Sequence, residues 1–285
     1  MDTKSEPAKS MLIVSDRAFM ESYLIEQFKQ SYDVRLLHVD DLQHVASLSR
    51  HYDTVIYSPV AAASNISHIH RLCDAMGTDI PDNLMFISSY EVYGFEAYRG
   101  MTITERDVPH PDTPYGRDLL ECERHLIEWT KTHTPTSLTI LRPGEVIGNG
   151  MTGRIRKMTY RIANGIYMHL PDYDGTIPLI HAEDLAKAAS CLCGKRGIFN
   201  INDVCMHRRR EVADAIAHRL NDKRIFVLPR KSVALLKLIS HMTPSIKKSL
   251  GARSYEAIYD TASMTVATDN CFTPRDVLAY LNSKS

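Results

Sequence analysis

Met11-Leu-Ile-Val-Ser-Asp-Arg-Ala-Phe-Met-Glu-Ser-Tyr-Leu-Ile-Glu-Gln-Phe28 opens on four apolar residues and continues with large side chains at helical spacing, Phe19, Tyr23, Leu24 and Phe28. A short uninterrupted apolar run suits a strand buried on both faces, so residues 15–18 become the turn between a strand and a helix. The unit recurs. Strands are predicted at 34–37, 54–57, 84–87 and 137–141, and helices at 42–48, 64–76 and about 115–131. Strands alternating with helices over the first 150 residues predict parallel βαβ units with right-handed crossovers, hence an α/β chain with a doubly wound parallel sheet. Such sheets take ligands beyond the carboxyl ends of their strands.

After residue 150 the alternation loosens. A basic amphipathic segment (Arg154, Arg156, Lys157, Arg161) is followed by a strand-helix pair at 176–193, a strand at 198–201, a helix at 211–220 and a mostly helical tail. No internal repeat or low-complexity linker separates the halves, so any second domain is entwined with the first. The chain has 285 residues and is 44% hydrophobic, enough for a substantial core. Thirty-four Lys and Arg balance 34 Asp and Glu, which leaves no global field to gather polyanions; nucleic acid and membrane are not expected partners. Six cysteines without a CxxC pair read as reduced thiols, and the polar first ten residues lack the apolar stretch of a signal peptide. A soluble cytoplasmic protein with a short disordered leader is the expectation.

Four segments carry chemistry. Phe86-Ile-Ser-Ser-Tyr-Glu-Val-Tyr-Gly94 follows a strand; Thr104-Glu105 precedes Pro111-Asp-Thr-Pro-Tyr-Gly-Arg117 at a helix start; Leu141-Arg-Pro-Gly-Glu-Val-Ile-Gly148 closes the last strand of the first half; Ile180-His-Ala-Glu-Asp-Leu-Ala186 leads to Gly197-Ile-Phe-Asn200. In this order and spacing they resemble the extended short-chain dehydrogenase/reductase family, the NAD-dependent epimerase/dehydratase group that works mainly on nucleotide sugars. The resemblance spans residues 11 to 280. It implies a Rossmann-like dinucleotide-binding core over 11–149 after a leader at 1–10, and a smaller substrate-type domain over 150–285 from which 176–202 returns to the sheet. It also implies that Tyr115 is the general acid/base, that Ser89 hydrogen-bonds the reacting oxygen, and that Pro143 and Gly144 edge the nicotinamide. The cofactor turn falls on Ser15, Asp16, Arg17, Ala18, Phe19 and Met20, and the cofactor is NAD or NADP. Asp40 and Asp41, after the second strand, are candidates for a ribose contact. Relatives commonly pair as homodimers through the helix after the tyrosine, where this chain has Leu119, Leu120, Leu126 and Ile127.

The sequence departs from the family pattern at three places that face the cofactor. The family's lysine four residues after the tyrosine lowers the phenol pKa and holds the nicotinamide ribose; here that position is Leu119, on the same helix face as Tyr115. Desolvation without a cation raises a tyrosine above its reference value of about 10. Arg117 and Arg142 are candidate substitute cations. The turn 15–22 holds no glycine, whereas the family uses glycines to let the backbone approach the pyrophosphate, and Asp16 and Glu21 oppose an anion at the helix start. Pro59 and Val60 stand where the family has paired alanines. Two functions follow: a divergent NAD(P)-dependent epimerase/dehydratase or reductase of a nucleotide sugar or related carbonyl compound, or a non-catalytic ligand-sensing or partner-binding protein that has lost dinucleotide binding.

Other features have plainer explanations. His207-Arg-Arg-Arg210 either binds a substrate phosphate or forms a solvated helix start, and the second is expected. The apolar, lysine-flanked stretch 232–242 either meets a membrane surface or packs in the small domain, again with the second expected. The thirteen histidines show no ligand spacing, so no metal is predicted.

Overall fold

The computed structural model describes residues 9–16, 19–45, 47–60, 64–95, 98–243, 246–247, 250, 253, 255–269 and 272–283. Six parallel strands form the central sheet: β1 (Lys9–Ser15), β2 (Tyr32–His38), β3 (Thr54–Tyr57), β4 (Asn83–Ile87), β5 (Ser137–Pro143) and β6 (Gly197–Ile201), in the order β6-β5-β4-β3-β1-β2. The first strand starts at Lys9, inside the span expected to be leader. β1, β3 and β4 carry near-continuous apolar runs and β5 is buried from Leu138 to Pro143 because helices cover both of their faces, while β2 is an edge and leaves Leu36 half-exposed.

Period-two alternation sorts the strand residues between two cores. Leu12, Val14, Val55, Tyr57, Leu84 and Phe86 pack under α2 (Asn65–Met76) and α3 (Pro114–Thr132). Met11, Ile13, Ile56, Met85 and Leu141 pack under α1 (Phe19–Phe28) and α5 (Ala182–Leu192). Between α3 and α5, α4 (Gly153–Ala163) joins α6 (Arg209–Arg219) in a third core around Ile155, Ile162, Val212 and Ile216. A small fourth cluster, Leu170, Val233 and Leu250, anchors α7 (Arg230–Met242). Two short helices follow, α8 (Ala262–Ala267) and α9 (Val277–Asn282). Among the described residues no helix is long and apolar enough to cross a membrane.

The helix predicted at 42–48 is instead a 3-10 turn over Val39–His44. Val39, Leu42, Val45 and Leu48 recur every third residue, the repeat of a 3-10 helix rather than an α-helix. Within segment 176–202, α5 packs on α1, and β6 pairs in parallel with β5, Phe199 opposite Leu141. Because β2 and β3 lie on opposite sides of β1, the chain reverses direction across the sheet there and opens a crevice at the carboxyl ends.

Candidate active site

At that crevice the strand ends converge on one cleft of about 390 Å³. β1 and α1 deliver Asp16, Phe19 and Met20; β3 delivers Ser58 and Pro59; β4 delivers Ser88 and Ser89; α3 delivers Tyr115; β5 delivers Pro143, with Gly144 beyond it. Seven of the ten residues expected to have a catalytic or cofactor-turn role, Asp16, Phe19, Met20, Ser89, Tyr115, Pro143 and Gly144, therefore share a surface. Ser15 lies beneath it, buried, its hydroxyl donating to the Glu21 carboxylate in the first turn of α1. Arg17 and Ala18 lie outside the described residues.

Ser89 precedes a 3-10 turn (Tyr90–Tyr93) and its Oγ accepts from the Glu91 amide at 3.2 Å, so the hydroxyl hydrogen is available to the cleft. Tyr115 sits in the first turn of α3, which Thr113 caps by accepting from Gly116 N at 2.9 Å, with Pro114 pre-set for the helix. Gly116 is needed because a Cβ there would stand 2.5 Å from the Glu91 carbonyl oxygen. Leu119 is fully buried in the apolar cluster against which Tyr115 packs. Burial pushes the Tyr115 phenol far above its ordinary range, and Glu91, Asp118 and Glu145 push it further the same way.

Neither candidate substitute cation reaches it. Arg142 is buried in a fork on Glu123, Nε to Oε1 3.0 Å and Nη2 to Oε2 2.5 Å, and donates to Tyr93 Oη at 2.8 Å. Arg117 is exposed and donates to the Asp112 carbonyl at 3.2 Å. The loop after β3 is also explained locally: Asn65 accepts from Val60 N at 2.7 Å and donates to its carbonyl at 3.0 Å, while Asp118 accepts from Asn65 N at 2.9 Å. Gly144 answers to packing, since a Cβ would lie 2.6 Å from Asn202 Oδ1 and 2.7 Å from the Pro178 carbonyl.

Two polar residues of the cleft, Glu91 and Glu145, escaped the sequence reading of the site, and Arg154 and Lys157 of the basic segment join them there. Arg154 reaches Glu91 Oε1 at 2.8 Å and Glu145 Oε1 at 3.6 Å, donates to Tyr90 Oη at 2.9 Å and stacks 4.6 Å over the Phe95 ring. Burial raises the Glu145 carboxyl, with Arg154 opposing the rise. The signal available was modest: Glu145 directly follows Pro143-Gly144, and Arg154 and Lys157 are i, i+3 neighbours in the basic segment.

Beside the cleft, the run 207–210 divides. Arg208 pairs with Glu256 at 2.9 Å and Arg210 with Asp214 at 2.7 Å at the surface, as a solvated helix start would. Arg209 turns inward, where its Nε is buried with no hydrogen-bond partner among the described residues, and it borders a small cavity with Arg154 and Glu145. Burial lowers its pKa, and Arg253 lowers it too. Away from the cleft, His207, Asp203 and Asp276 place ligand-type atoms within 4.8 Å of one another, although sequence spacing suggested no metal group. His207 Nε2 meets Asp203 Oδ2 at 2.6 Å, and the Asp203 oxygens also accept from Cys205 N and Val277 N.

A sequence profile of the NAD dependent epimerase/dehydratase family matches residues 30–201, and the chain belongs to that family. A relative from Escherichia coli O157:H7, N-acetyl-alpha-D-glucosaminyl-diphospho-ditrans,octacis-undecaprenol 4-epimerase, is 29% identical over 144 residues, 49% of this chain and 41% of the relative, so the match spans less than half of that protein. Solved structures superpose over nearly the whole chain. UDP-glucose 4-epimerase of Thermus thermophilus, in complex with NAD, matches with a TM-score of 0.73 at 16% identity, covering 95% of this chain and 96% of that one. UDP-N-acetylglucosamine 4-epimerase of Methanobrevibacter ruminantium, in complex with UDP-N-acetylmuramic acid, matches with a TM-score of 0.74 at 16% identity, covering 98% and 97%. At these identities the likeness is one of fold.

Proposed function

We propose that this chain is an NAD(P)-dependent epimerase/dehydratase-type oxidoreductase acting on a sugar joined to a diphosphate, a nucleotide sugar foremost. The observation that carries the reading is the convergence of Ser89 and Tyr115 on one cleft edged by Pro143 and Gly144, at the sheet's reversal point. The diphosphate is favoured by Arg209, whose buried Nε has no hydrogen-bond partner among the described residues, beside Arg154. A sugar linked to a diphosphate is also the chemistry shared by the compounds named for the similar proteins.

The residues present fit a dinucleotide, with low affinity expected at its phosphates. Pro143 and Gly144 would edge the nicotinamide, and Phe19 and Met20 line the same cleft at the start of α1, whose first N–H groups have no helical acceptor. Asp16 opposes the anion there. When bound, the dinucleotide supplies the hydride acceptor. Ser89 donates its hydroxyl hydrogen to the reacting oxygen, and the Tyr115 phenol, protonated at neutral pH, holds the proton to be exchanged with it. The reading carries a cytoplasmic homodimer, but Leu119, Leu120 and Leu126 are consumed by the chain's own core, leaving Ile127 of those four at the surface of α3. Sedimentation at micromolar concentration tests that pairing.

Calorimetric titration with NAD(H) and NADP(H), after a spectral check for copurified nucleotide, tests the function. Saturable binding, followed by turnover of a nucleotide sugar that Tyr115→Phe lowers by about 100-fold or more, is the expected result. Absence of binding up to millimolar ligand by folded protein overturns it and leaves the ligand-sensing or partner-binding alternative.

A further inference from the structure

The zero net charge of the chain conceals a strongly uneven distribution. From Lys223 to Arg253 the sequence carries eight Lys and Arg and no Asp or Glu. Two of them, Arg230 and Lys231, occupy the first turn of α7, which holds no acidic residue. Cations at a helix N-terminus face the positive end of the macrodipole, so their sign works against the helix that carries them. The charge is therefore not explained by α7's own stability.

The same helix leaves an apolar stripe uncovered. Val233 and Ser240 turn inward and are buried, whereas Leu235 is 59% exposed, Leu238 65% and Ile239 41%. Positions 235, 238 and 239 share one helical face. Across a groove of about 630 Å³, Ile166 (60% exposed) and Met168 (52%) face Leu235 and Ile239. The two-residue ladder of Met168–His169 with Phe226–Val227 extends the patch with two further half-exposed apolar side chains. Expected packing inside the small domain thus accounts for only the inner face of the stretch 232–242. A contiguous apolar surface of this kind marks an interaction site.

We propose that this face docks on the surface of a lipid bilayer containing anionic lipids, with Leu235, Leu238, Ile239 and Phe226 entering the acyl boundary and Arg230, Lys231 and Lys237 meeting headgroup phosphates. Charge decides the occupant: a second copy seated face to face would set one basic run against another, and like charges opposed across an interface are unfavourable. The proposal needs neither cofactor nor turnover. It does place the cleft close to the bilayer, because α4 lines the cleft with Arg154 and the groove with Arg161, seven residues on, about 10 Å along the helix axis.

Co-sedimentation with vesicles of phosphatidylcholine alone, and of phosphatidylcholine mixed with phosphatidylglycerol, tests it. The expected result is pelleting with the phosphatidylglycerol vesicles, weakened by salt and weakened roughly fivefold for each basic residue reversed in Lys231→Glu and Lys237→Glu. The pair Leu235→Glu and Leu238→Glu, both at exposed positions, abolishes pelleting with an unchanged circular dichroism spectrum. Protein that stays in the supernatant with both vesicles at low ionic strength overturns the proposal. So does a dimer, seen by sedimentation velocity and dispersed by Leu238→Glu, in protein that does not bind vesicles.

Discussion

Arg154 Nη2 stands 2.8 Å from Glu91 Oε1, and the other oxygen of that carboxylate accepts from Thr113 Oγ1 at 2.6 Å. A helix of the C-terminal half is thereby tied to the cap of the helix that carries Tyr115, and Glu91 itself follows Ser89 by two residues. The geometry of the cleft depends on charges donated from both halves.

Arg154→Met leaves Glu91 and Glu145 without their cation. A loss of about 1 to 2 kcal/mol is expected, less than for a fully buried pair because the guanidinium is partly exposed. Urea unfolding measures it. Arg154→Lys recovers only part, since an ammonium has no fork for two acceptors.

Tyr115 is held neutral by burial first and by carboxylates second, so a step that needs its phenolate accelerates as pH rises. Turnover is expected to climb through the alkaline range until the fold fails. Tyr115→Phe lowers it by about 100-fold or more and flattens the profile; a pH profile unchanged by the substitution would count against proton transfer at this residue.

Buried phenols also set the alkaline limit of the fold. Burial pushes Tyr93 and Tyr255 up to about 12, while Tyr57 and Tyr259 are raised as well. Above pH of about 10 the unfolded chain releases protons that the folded chain retains, so stability present below that pH declines as pH rises toward 12. Urea midpoints on either side of that threshold, with tyrosinate absorbance followed at the same time, test the sign.

Glu123→Gln strips the carboxylate from a buried guanidinium and from Ser88 Oγ, which donates to Glu123 Oε1 at 2.5 Å. A cost of about 3 to 5 kcal/mol is expected, and replacing both partners, Glu123→Leu with Arg142→Met, costs less than the single change. A double-mutant cycle in urea decides between these outcomes.

Gly144→Ala drives a methyl group against Asn202 Oδ1 and the Pro178 carbonyl. Destabilisation of about 1 to 3 kcal/mol is expected in the absence of any ligand. An unaltered thermal midpoint would remove the packing explanation for this glycine.

The sheet was legible because β1, β3 and β4, and most of β5, are apolar runs, a pattern that survives in sequence without any knowledge of neighbours. Ser89 and Tyr115 were legible through the motifs around them. Glu145 was not singled out, and Arg154 and Arg209 were seen only as members of basic runs, because what makes each of them notable is a contact or a loss of solvent contributed by residues far away in the chain. The 3-10 turn at Val39–His44 was misread because an apolar repeat of three is easily taken for one of 3.6. Overall charge balance hid the basic run at 223–253, since a sum over the chain carries no information about place.

Leu119 also limits what engineering can restore. Its side chain is wholly enclosed by apolar neighbours, so placing an ammonium there, as the family pattern has it, sets a charge among atoms that cannot solvate it. The cation that would lower the phenol is thus excluded by the packing that holds the helix of Tyr115 to the sheet, and regaining it calls for rebuilding that packing rather than for one exchange.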